Sequence, residues 1–325
     1  MSMTVTRYEL LESGWSTSDV RHSVERGDLV RLCKGVYVTR DEVPAEDEQR
    51  HVLRALAFAH RSDYIVSHVS AALLHRLPVG GADLTEVHVT RAGLGGHRHE
   101  AGRRVHSGQL PSDMITSVAQ VPVTSVARTL VDLAKFEPLA VAVAAADHAL
   151  HSGLCRADDL REALESLRRH PHSRRASQAM ALVDGRAESP GETRTRLMLA
   201  GALGRGGPVL PRTHLQISIF DEAGQFVGRA DGGYPDHGVL WEYDGLTKYG
   251  HLRKPGESVL DVVLREKRRE ERLTELGWIV IRITAADLRD RAALVERVAS
   301  AISRSRRPGW LSPTGTYRIL EPVTL

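Results

Sequence analysis

Alternating apolar and polar positions divide the first forty residues into two helices and a hairpin. In the stretch 16–27, Val20 and Val24 stand four residues apart, which is the spacing of one helix face, and polar side chains fill the opposite face. A shorter helical stretch precedes it, and the alternation in 28–39 predicts a two-stranded hairpin after it. This order predicts a winged helix-turn-helix domain over residues 1–48.

The second helix and the hairpin carry polar side chains that suit a nucleic-acid contact. In winged helix-turn-helix domains the second helix reads base edges, and the wing contacts the phosphate backbone. The residues that we predict to bind DNA are Ser18, Arg21, His22, Arg31 and Lys34. Over the first forty positions there are six basic and five acidic residues. The prediction therefore depends on the pattern more than on charge, and a solvated face is the alternative.

Residues 49–170 combine helical stretches with short strand-like runs, which predicts a middle α/β domain. Two apolar helices are predicted at 123–136 and 138–153. Five histidines of this region invite a metal-site interpretation: His68, His75, His97, His99 and His106. Their spacing matches no metal-ligand motif, so we predict packing or surface roles for them.

A third region is predicted over residues 171–305, after a short basic cluster. Its pattern reads helix, three strands, helix, strand, helix, which predicts an α/β layer with a central mixed sheet. Residues 306–325 are predicted to form a C-terminal tail. The fold class predicted for the whole chain is α/β (α+β), with several domains.

The composition narrows the function classes. The 325 residues are 42% apolar and 26% charged, with a formal net charge of +3, and no apolar run approaches the roughly 18 residues of a membrane span. Cys33 and Cys155 stand too far apart to form a zinc motif or a disulfide framework. No P-loop and no secretory leader pattern is present. We expect a cytoplasmic protein without a membrane partner, whose charge permits DNA binding.

Acidic residues stand at the ends of two neighbouring strands predicted in the third region. Alternation along the strand 237–245 places Glu242 and Asp244 on the same face. Asp231 lies on the adjoining strand, eleven positions before Glu242, so cross-strand pairing brings these two together. Glu192, in the first turn of the preceding helix, is positioned to supply a fourth acid.

Carboxylates that cluster in a partly buried site repel one another unless a cation neutralises them. Magnesium takes carboxylate oxygens, keeps waters that serve as nucleophiles and bridges to phosphate, and manganese is an alternative. The pattern therefore favours metal-dependent phosphodiester hydrolysis. A hairpin with exposed carboxylates is the structural alternative.

The segments "ESPGE", "GRADGGYP", "VLWEYDGLTKYG" and "EKRREERLTELGWIVIRI" resemble the PD-(D/E)XK nuclease superfamily, in the branch similar to very-short-patch repair endonucleases. The resemblance covers about residues 188–290. It implies a restriction-endonuclease-like α/β domain that cuts DNA with magnesium. It further implies that Glu192, Asp231 and Glu242 bind the metal.

One position departs from the superfamily pattern: this chain has Asp244 where the general pattern has a lysine. Asp244 is then expected to add a metal ligand or to position water. A cation that offsets charge developing on phosphate must come from elsewhere. Lys248 is the first choice and Lys267 the second, although Lys248 reads equally as a loop lysine and Lys267 as part of a solvated helix.

The first half of the chain has a resemblance of its own. "GDLVRLCKGVYV", "SHVSAALLHRLP", "VHVTR" and "VPVTSVARTLVDLAK" resemble the AbiEi-type antitoxins of abortive-infection toxin-antitoxin systems, over about residues 7–160. The resemblance implies that the winged domain binds promoter DNA and that the middle domain supports repression or neutralisation of a cognate toxin.

Two functions follow from these patterns. The first is a DNA-binding protein with a magnesium-dependent endonuclease domain, in which Asp231, Glu242, Asp244 and Lys248 are catalytic. The alternative is a regulator or antitoxin whose nuclease-like domain is inactive and serves as a binding platform.

Overall fold

The computed structural model describes residues 4–59, 64–92, 98–100, 102–168, 170–204, 208–245, 259–305, 307, 309–322 and 325. Contacts divide the chain into two compact units. The first unit comprises Met1–Ala145 and Cys155–Met180, and the second comprises Ala146–Leu154 and Ala181–Leu325. None of the helices in the described ranges is long and apolar enough to span a bilayer.

Both units mix helices and strands, which confirms the predicted α/β character. The α-helices of the described residues are α1 (Arg7–Glu12), α2 (Thr17–Arg26), α3 (Asp47–Ala59), α4 (His68–Leu74), α5 (Val126–Phe136), α6 (Leu139–His151), α7 (Ala157–Ser166), α8 (Ser173–Met180), α9 (Pro190–Leu199), α10 (Val259–Glu275) and α11 (Arg291–Arg304). The strands of the first unit are β1 (Val5–Thr6), β2 (Leu29–Cys33), β3 (Val36–Thr39), β4 (Ile65–Val66), β5 (Val87–Ala92), β6 (Arg98–Glu100), β7 (Arg103–Gly108), β8 (Ile115–Val118) and β9 (Val121–Thr124). The strands of the second unit are β10 (His214–Phe220), β11 (Phe226–Tyr234), β12 (Val239–Asp244), β13 (Ile279–Thr284) and β14 (Thr316–Ile319).

The N-terminal elements follow the predicted order of helix, turn, helix and hairpin. Helix α2 begins at a capping box, in which the Ser16 hydroxyl accepts from the Asp19 N–H and the Asp19 carboxylate accepts from the Ser16 N–H. It ends at Gly27, whose φ of 81° is a left-handed conformation that glycine adopts without strain. Val20 packs in a small core with Leu10. The strands form a three-stranded sheet in the order β1-β3-β2, of which the sequence did not predict β1.

The rest of the first unit is built on a six-stranded mixed sheet in the order β6-β7-β5-β4-β9-β8. Strands β5 and β7 are parallel, and β4 is parallel to β9. Valines from the central strands are fully buried against α3 and α4. This sheet places the polar residues of β5 and β7 in two adjacent rows on the same face.

The second unit contains a five-stranded sheet in the order β13-β12-β11-β10-β14. Strands β10, β11 and β12 form an antiparallel meander, and β13 returns parallel to β12 after helix α10. Trp241 of β12 is fully buried, and its indole N–H donates to the Thr213 hydroxyl at 2.8 Å. The predicted central mixed sheet is therefore present, and it brings the ends of α9, β11 and β12 together.

The segment predicted as a C-terminal tail contributes to this sheet. Residues Thr316–Ile319 form β14, an edge strand antiparallel to β10. The Tyr317 ring meets the Trp278 ring edge-on at 6.1 Å, and the Arg318 guanidinium lies 5.1 Å from the centre of the Phe220 ring. The segment is mostly exposed, and its alternation of Tyr317 and Ile319 is only four residues long, so its strand character depends on backbone pairing to β10 that the sequence pattern did not reveal.

Candidate functional site

Glu192 lies at the buried N-terminus of α9 and is held by several hydrogen bonds. Its carboxylate accepts from the Ser189 hydroxyl at 2.7 Å, from the Glu188 N–H at 2.9 Å and from the Gln216 side-chain amide at 3.1 Å. Burial, followed by the negative charge of Asp231, raises the pKa of the Glu192 carboxyl to about 7. Glu192 therefore changes protonation state near neutral pH.

Asp231 lies where β11 separates from β12. The ladder of these strands ends at the pair Gly232–Trp241, and Asp231 and Glu242 are the next residues beyond that pair. The Asp231 carboxylate accepts the backbone N–H of Tyr243 at 2.7 Å. Its negative charge acts on both Glu192 and Glu242.

Glu242 is buried and paired with arginine. Its two carboxylate oxygens lie 2.8 and 2.9 Å from Nη2 of Arg269, which is on α10. Nη1 of Arg282 lies 3.6 Å from the same carboxylate. Burial raises the pKa of the Glu242 carboxyl, while both arginines oppose that shift. Cations of the chain itself thus compensate the Glu242 charge.

The predicted metal site requires the carboxylates of Glu192, Asp231 and Glu242 to lie close enough to bind one ion. Within the described part of the chain, the only three side chains with ligand atoms all within 4.8 Å of one another are histidines of the first unit. Glu192, Asp231 and Glu242 are therefore electrostatic neighbours that do not meet this spacing. Their role in binding metal stays a prediction.

The remaining predicted catalytic residues differ in how the structure places them. Asp244 ends β12, is partly exposed, and its charge acts on Arg282. Lys248 lies outside the described residues. Lys267 is exposed on α10, with Nζ 3.9 Å from the Glu271 carboxylate, as expected for a solvated helix face.

The five residues predicted to bind DNA are all exposed in the first unit. The Arg21 guanidinium lies 3.7 Å from the Glu25 carboxylate one helical turn away, and the Ser18 hydroxyl lies 3.5 Å from Nδ1 of His22. The Arg31 side chain donates to the backbone carbonyl of Cys33. Their contact with DNA stays a prediction.

A groove of about 830 Å³ extends the basic surface of the wing. Arg31 and Lys34 line it together with Arg7 and Arg103, which the sequence analysis did not single out. The Arg103 guanidinium lies 4.7 Å from the centre of the Tyr64 ring and pairs with the Glu100 carboxylate, and these two contacts fix its position. Four cations from three segments, namely α1, the wing hairpin and β7, thus line one groove, a relationship that only the fold reveals.

Comparison with known proteins gives two kinds of match over most of the chain. The chain is 28% identical to "Uncharacterized protein Rv2248" of Mycobacterium tuberculosis strain H37Rv over 287 residues, which cover 88% of this chain and 97% of that protein. The corresponding protein of strain CDC 1551, MT2308, matches to the same extent. The crystal structure of the RV2827C protein from Mycobacterium tuberculosis is 18% identical, with a TM-score of 0.37 over 67% of this chain and 83% of that chain.

A protein-family model matches the middle of the chain. The matched segment contains all six strands of the six-stranded sheet and continues through α8. Residues 55–182 match the AbiEi antitoxin C-terminal domain.

Proposed function

We propose that the protein is a DNA-binding regulator of the antitoxin type. The observation that carries this proposal is the match of residues 55–182 to the AbiEi antitoxin C-terminal domain. This segment begins within α3, shortly after the helix-turn-helix and hairpin that end at Thr39. A DNA-reading module followed by an antitoxin domain is the arrangement that such a regulator requires.

The proposed DNA contact uses the exposed face of α2 and the wing. Ser18, Arg21 and His22 present polar atoms from consecutive turns of α2, which suits base edges in a major groove. Arg31 and Lys34 neutralise phosphates alongside, and Arg7 and Arg103 extend the same surface. The middle domain would bind a cognate toxin, as the resemblance to AbiEi-type antitoxins implies.

The second unit would act as a binding platform in this proposal. The Arg269 pairing supports an inactive site, since a catalytic carboxylate must be available to a metal ion. Asp231 likewise satisfies a backbone N–H of its own chain. These acids have structural partners that explain their presence without a reaction.

A second candidate function is a magnesium-dependent endonuclease, and the proximity of the Asp231 and Glu192 charges favours it. Burial, and after it the charge of Asp231, raise the pKa of the Glu192 carboxyl, so a cation with affinity for both carboxylates would relieve their repulsion. The order of α9, the three-stranded meander, α10 and parallel β13 also suits the nuclease resemblance. In this function Glu192, Asp231 and Glu242 would bind magnesium or manganese after Arg269 moves away, Asp244 would position water, and Lys248 would stabilise charge.

A gel-shift assay tests the regulator proposal. The full chain is incubated with the DNA upstream of its own gene and with a scrambled fragment of the same length. We expect preferential binding of the upstream DNA, and weaker binding of the Arg31→Ala/Lys34→Ala variant. Equal affinity for both fragments in the wild type would overturn the proposal.

A plasmid assay separates the two functions. Supercoiled plasmid is incubated with the wild type and with the variants Asp231→Ala and Glu242→Ala, in magnesium, in manganese and in EDTA. Under the regulator proposal the plasmid stays intact in every condition. Nicking by the wild type that requires metal and disappears in both variants would establish the endonuclease instead.

A further inference from the structure

Three histidines from separate segments meet inside the first unit. His68 begins α4, His88 lies on β5 and His106 lies on β7, and each is no more than 4% exposed. One ring nitrogen of each lies within 4.8 Å of the others. This cluster, which we call the histidine cluster, is unrelated to the acidic residues of the second unit.

The sheet explains why these residues meet. Strands β5 and β7 are parallel, with His88 opposite Arg104 and Thr90 opposite His106. His88 and His106 are therefore diagonal neighbours on one face of the sheet. The Ser67 N–H donates to the His88 carbonyl at 3.1 Å, which holds the start of α4, and with it His68, beside β5.

The distances suit a tetrahedral ion. Nε2 of His106 lies 3.3 Å from Nδ1 of His88. Two nitrogens that bind one zinc ion at about 2.0–2.1 Å in tetrahedral geometry are about 3.3 Å apart. The ring of His68 stacks on that of His106, with centroids 3.6 Å apart and planes at 14°. Binding would turn the His68 ring out of this stack to direct its nitrogen to the ion.

A hydrogen-bonded chain behind His68 engages one of its two ring nitrogens. Nδ1 of His68 lies 2.9 Å from the Ser67 hydroxyl oxygen, which in turn accepts from the Thr90 hydroxyl at 2.8 Å. A partner on one ring nitrogen fixes the other as the ligand, as is usual behind metal-binding histidines. In the tautomer whose Nδ1–H donates to the Ser67 hydroxyl oxygen, Nε2 carries the lone pair and is the ligand atom that His68 would supply.

A small cavity of about 90 Å³ borders the cluster at His68 and His106. This volume is enough for water, which needs about 30 Å³ per molecule. Arg128, Asp132 and Lys135 also line it, and the Asp132 carboxylate accepts from Nε of Arg128 at 2.8 Å. Two cations against one carboxylate favour an anionic ligand, such as hydroxide, over neutral water.

We propose that His68, His88 and His106 bind one zinc ion and that a water or hydroxide from the adjacent cavity completes its coordination. Neutral imidazoles prefer zinc and related transition metals over magnesium or calcium, which require oxygen ligands. Three protein ligands with a fourth position open to solvent is the arrangement of a reactive zinc site. The proposal stands independently of the DNA-binding function.

Cobalt substitution tests the site in the full chain. Metal-free protein is titrated with Co²⁺, whose visible spectrum distinguishes four-coordinate nitrogen ligation from six-coordinate oxygen ligation. We expect one equivalent of four-coordinate cobalt that Zn²⁺ displaces. His88→Gln, His106→Gln and His68→Asn should each weaken binding at least about tenfold. Asparagine is chosen at position 68 because His68 has a φ of 52°, which asparagine tolerates.

Matched variants provide the controls. His99→Gln removes an exposed histidine beside Glu86, outside the cluster, and should bind cobalt as the wild type does. Asp231→Asn should also retain the four-coordinate spectrum, which separates this site from the acidic residues. The proposal is overturned if the wild type takes up no cobalt at micromolar concentration, or if the three cluster variants keep the wild-type spectrum. X-ray absorption of zinc-loaded wild type gives a test that needs no variant, since fewer than three imidazoles around the ion would also overturn it.

Discussion

Arg269 and Glu242 form a buried ion pair in which one guanidinium nitrogen lies 2.8 and 2.9 Å from the two carboxylate oxygens. The pair joins α10 to β12 and encloses a carboxylate that the sequence predicts to bind metal. The arginine side chain is 19% exposed and the glutamate 6%, so solvent screens their attraction only weakly. This contact decides whether the second unit resembles an open catalytic site or a closed structural one.

Removing Arg269 should destabilise the second unit. The variant Arg269→Gln leaves the Glu242 charge buried with only Arg282 near it, so we expect a loss of about 3 kcal/mol in the free energy of unfolding. Urea denaturation at pH 7.5 measures the loss. The control Arg272→Gln removes a half-exposed partner of Asp221 and should cost less than about 1 kcal/mol. Equal losses in the two variants would contradict the structural role of the pair.

Glu192 should make the stability depend on pH. Its folded pKa of about 7 lies above the ordinary value of 4.5, so the folded state retains this proton to higher pH than the unfolded state does. Its contribution to stability is complete below pH 4.5 and is lost as pH rises through 7, by up to about 3 kcal/mol. Glu192→Gln should therefore reduce the fall in unfolding free energy between pH 5 and 8. An unchanged pH profile would argue against the raised pKa.

The wing should contribute to DNA affinity through phosphate contacts. For Arg31→Ala/Lys34→Ala we expect the slope of log affinity against log salt to decrease by about 2, because each phosphate contact contributes about 0.9. Fluorescence anisotropy at several salt concentrations measures the slope. Arg156→Ala/Arg161→Ala changes the same number of exposed charges, one at the N-cap of α7 and one on α7, and should leave the slope unaltered. A slope equally reduced in both variants would point to a general charge effect.

A side chain at position 191 should lower the free energy of unfolding. A Cβ at this position of α9 would lie 1.9 Å from a ring carbon of Tyr243, so Gly191→Ala must displace the ring. We expect a loss of about 1–3 kcal/mol in unfolding free energy. The same change in a Tyr243→Ala background should cost less than about 1 kcal/mol, since the clash is then absent. Equal costs in the two backgrounds would show that the ring is not the obstacle.

Local signals predict much of the fold because they act within a few residues. The stretch 16–27, predicted from the spacing of Val20 and Val24, contains α2, which the structure bounds with a capping box at Ser16 and a left-handed Gly27. The alternation of β12 and the short turn before it predict that Asp231 lies beside Glu242. The mixed α/β architecture was predictable from such local signals, whereas the antitoxin-like middle segment was predicted from its resemblance to a known family.

Other features depend on contacts that no local pattern encodes. Arg269 stands 27 residues after Glu242 on a helix that reads as solvated, so its pairing with that carboxylate was not predicted. The histidine cluster was missed because its members belong to three segments, and His88 reads as an ordinary strand residue. A sheet brings such residues together only after its strand order is set.

The last strand also bears on how the second unit should be isolated. Strand β14 supplies backbone partners to β10, whose Ile217 and Ile219 are fully buried. A truncation at residue 305 would leave four unpaired positions along an apolar strand, and such an open edge recruits strands from other chains. Recombinant fragments that omit this short C-terminal segment should therefore self-associate, whether or not the second unit is catalytically active.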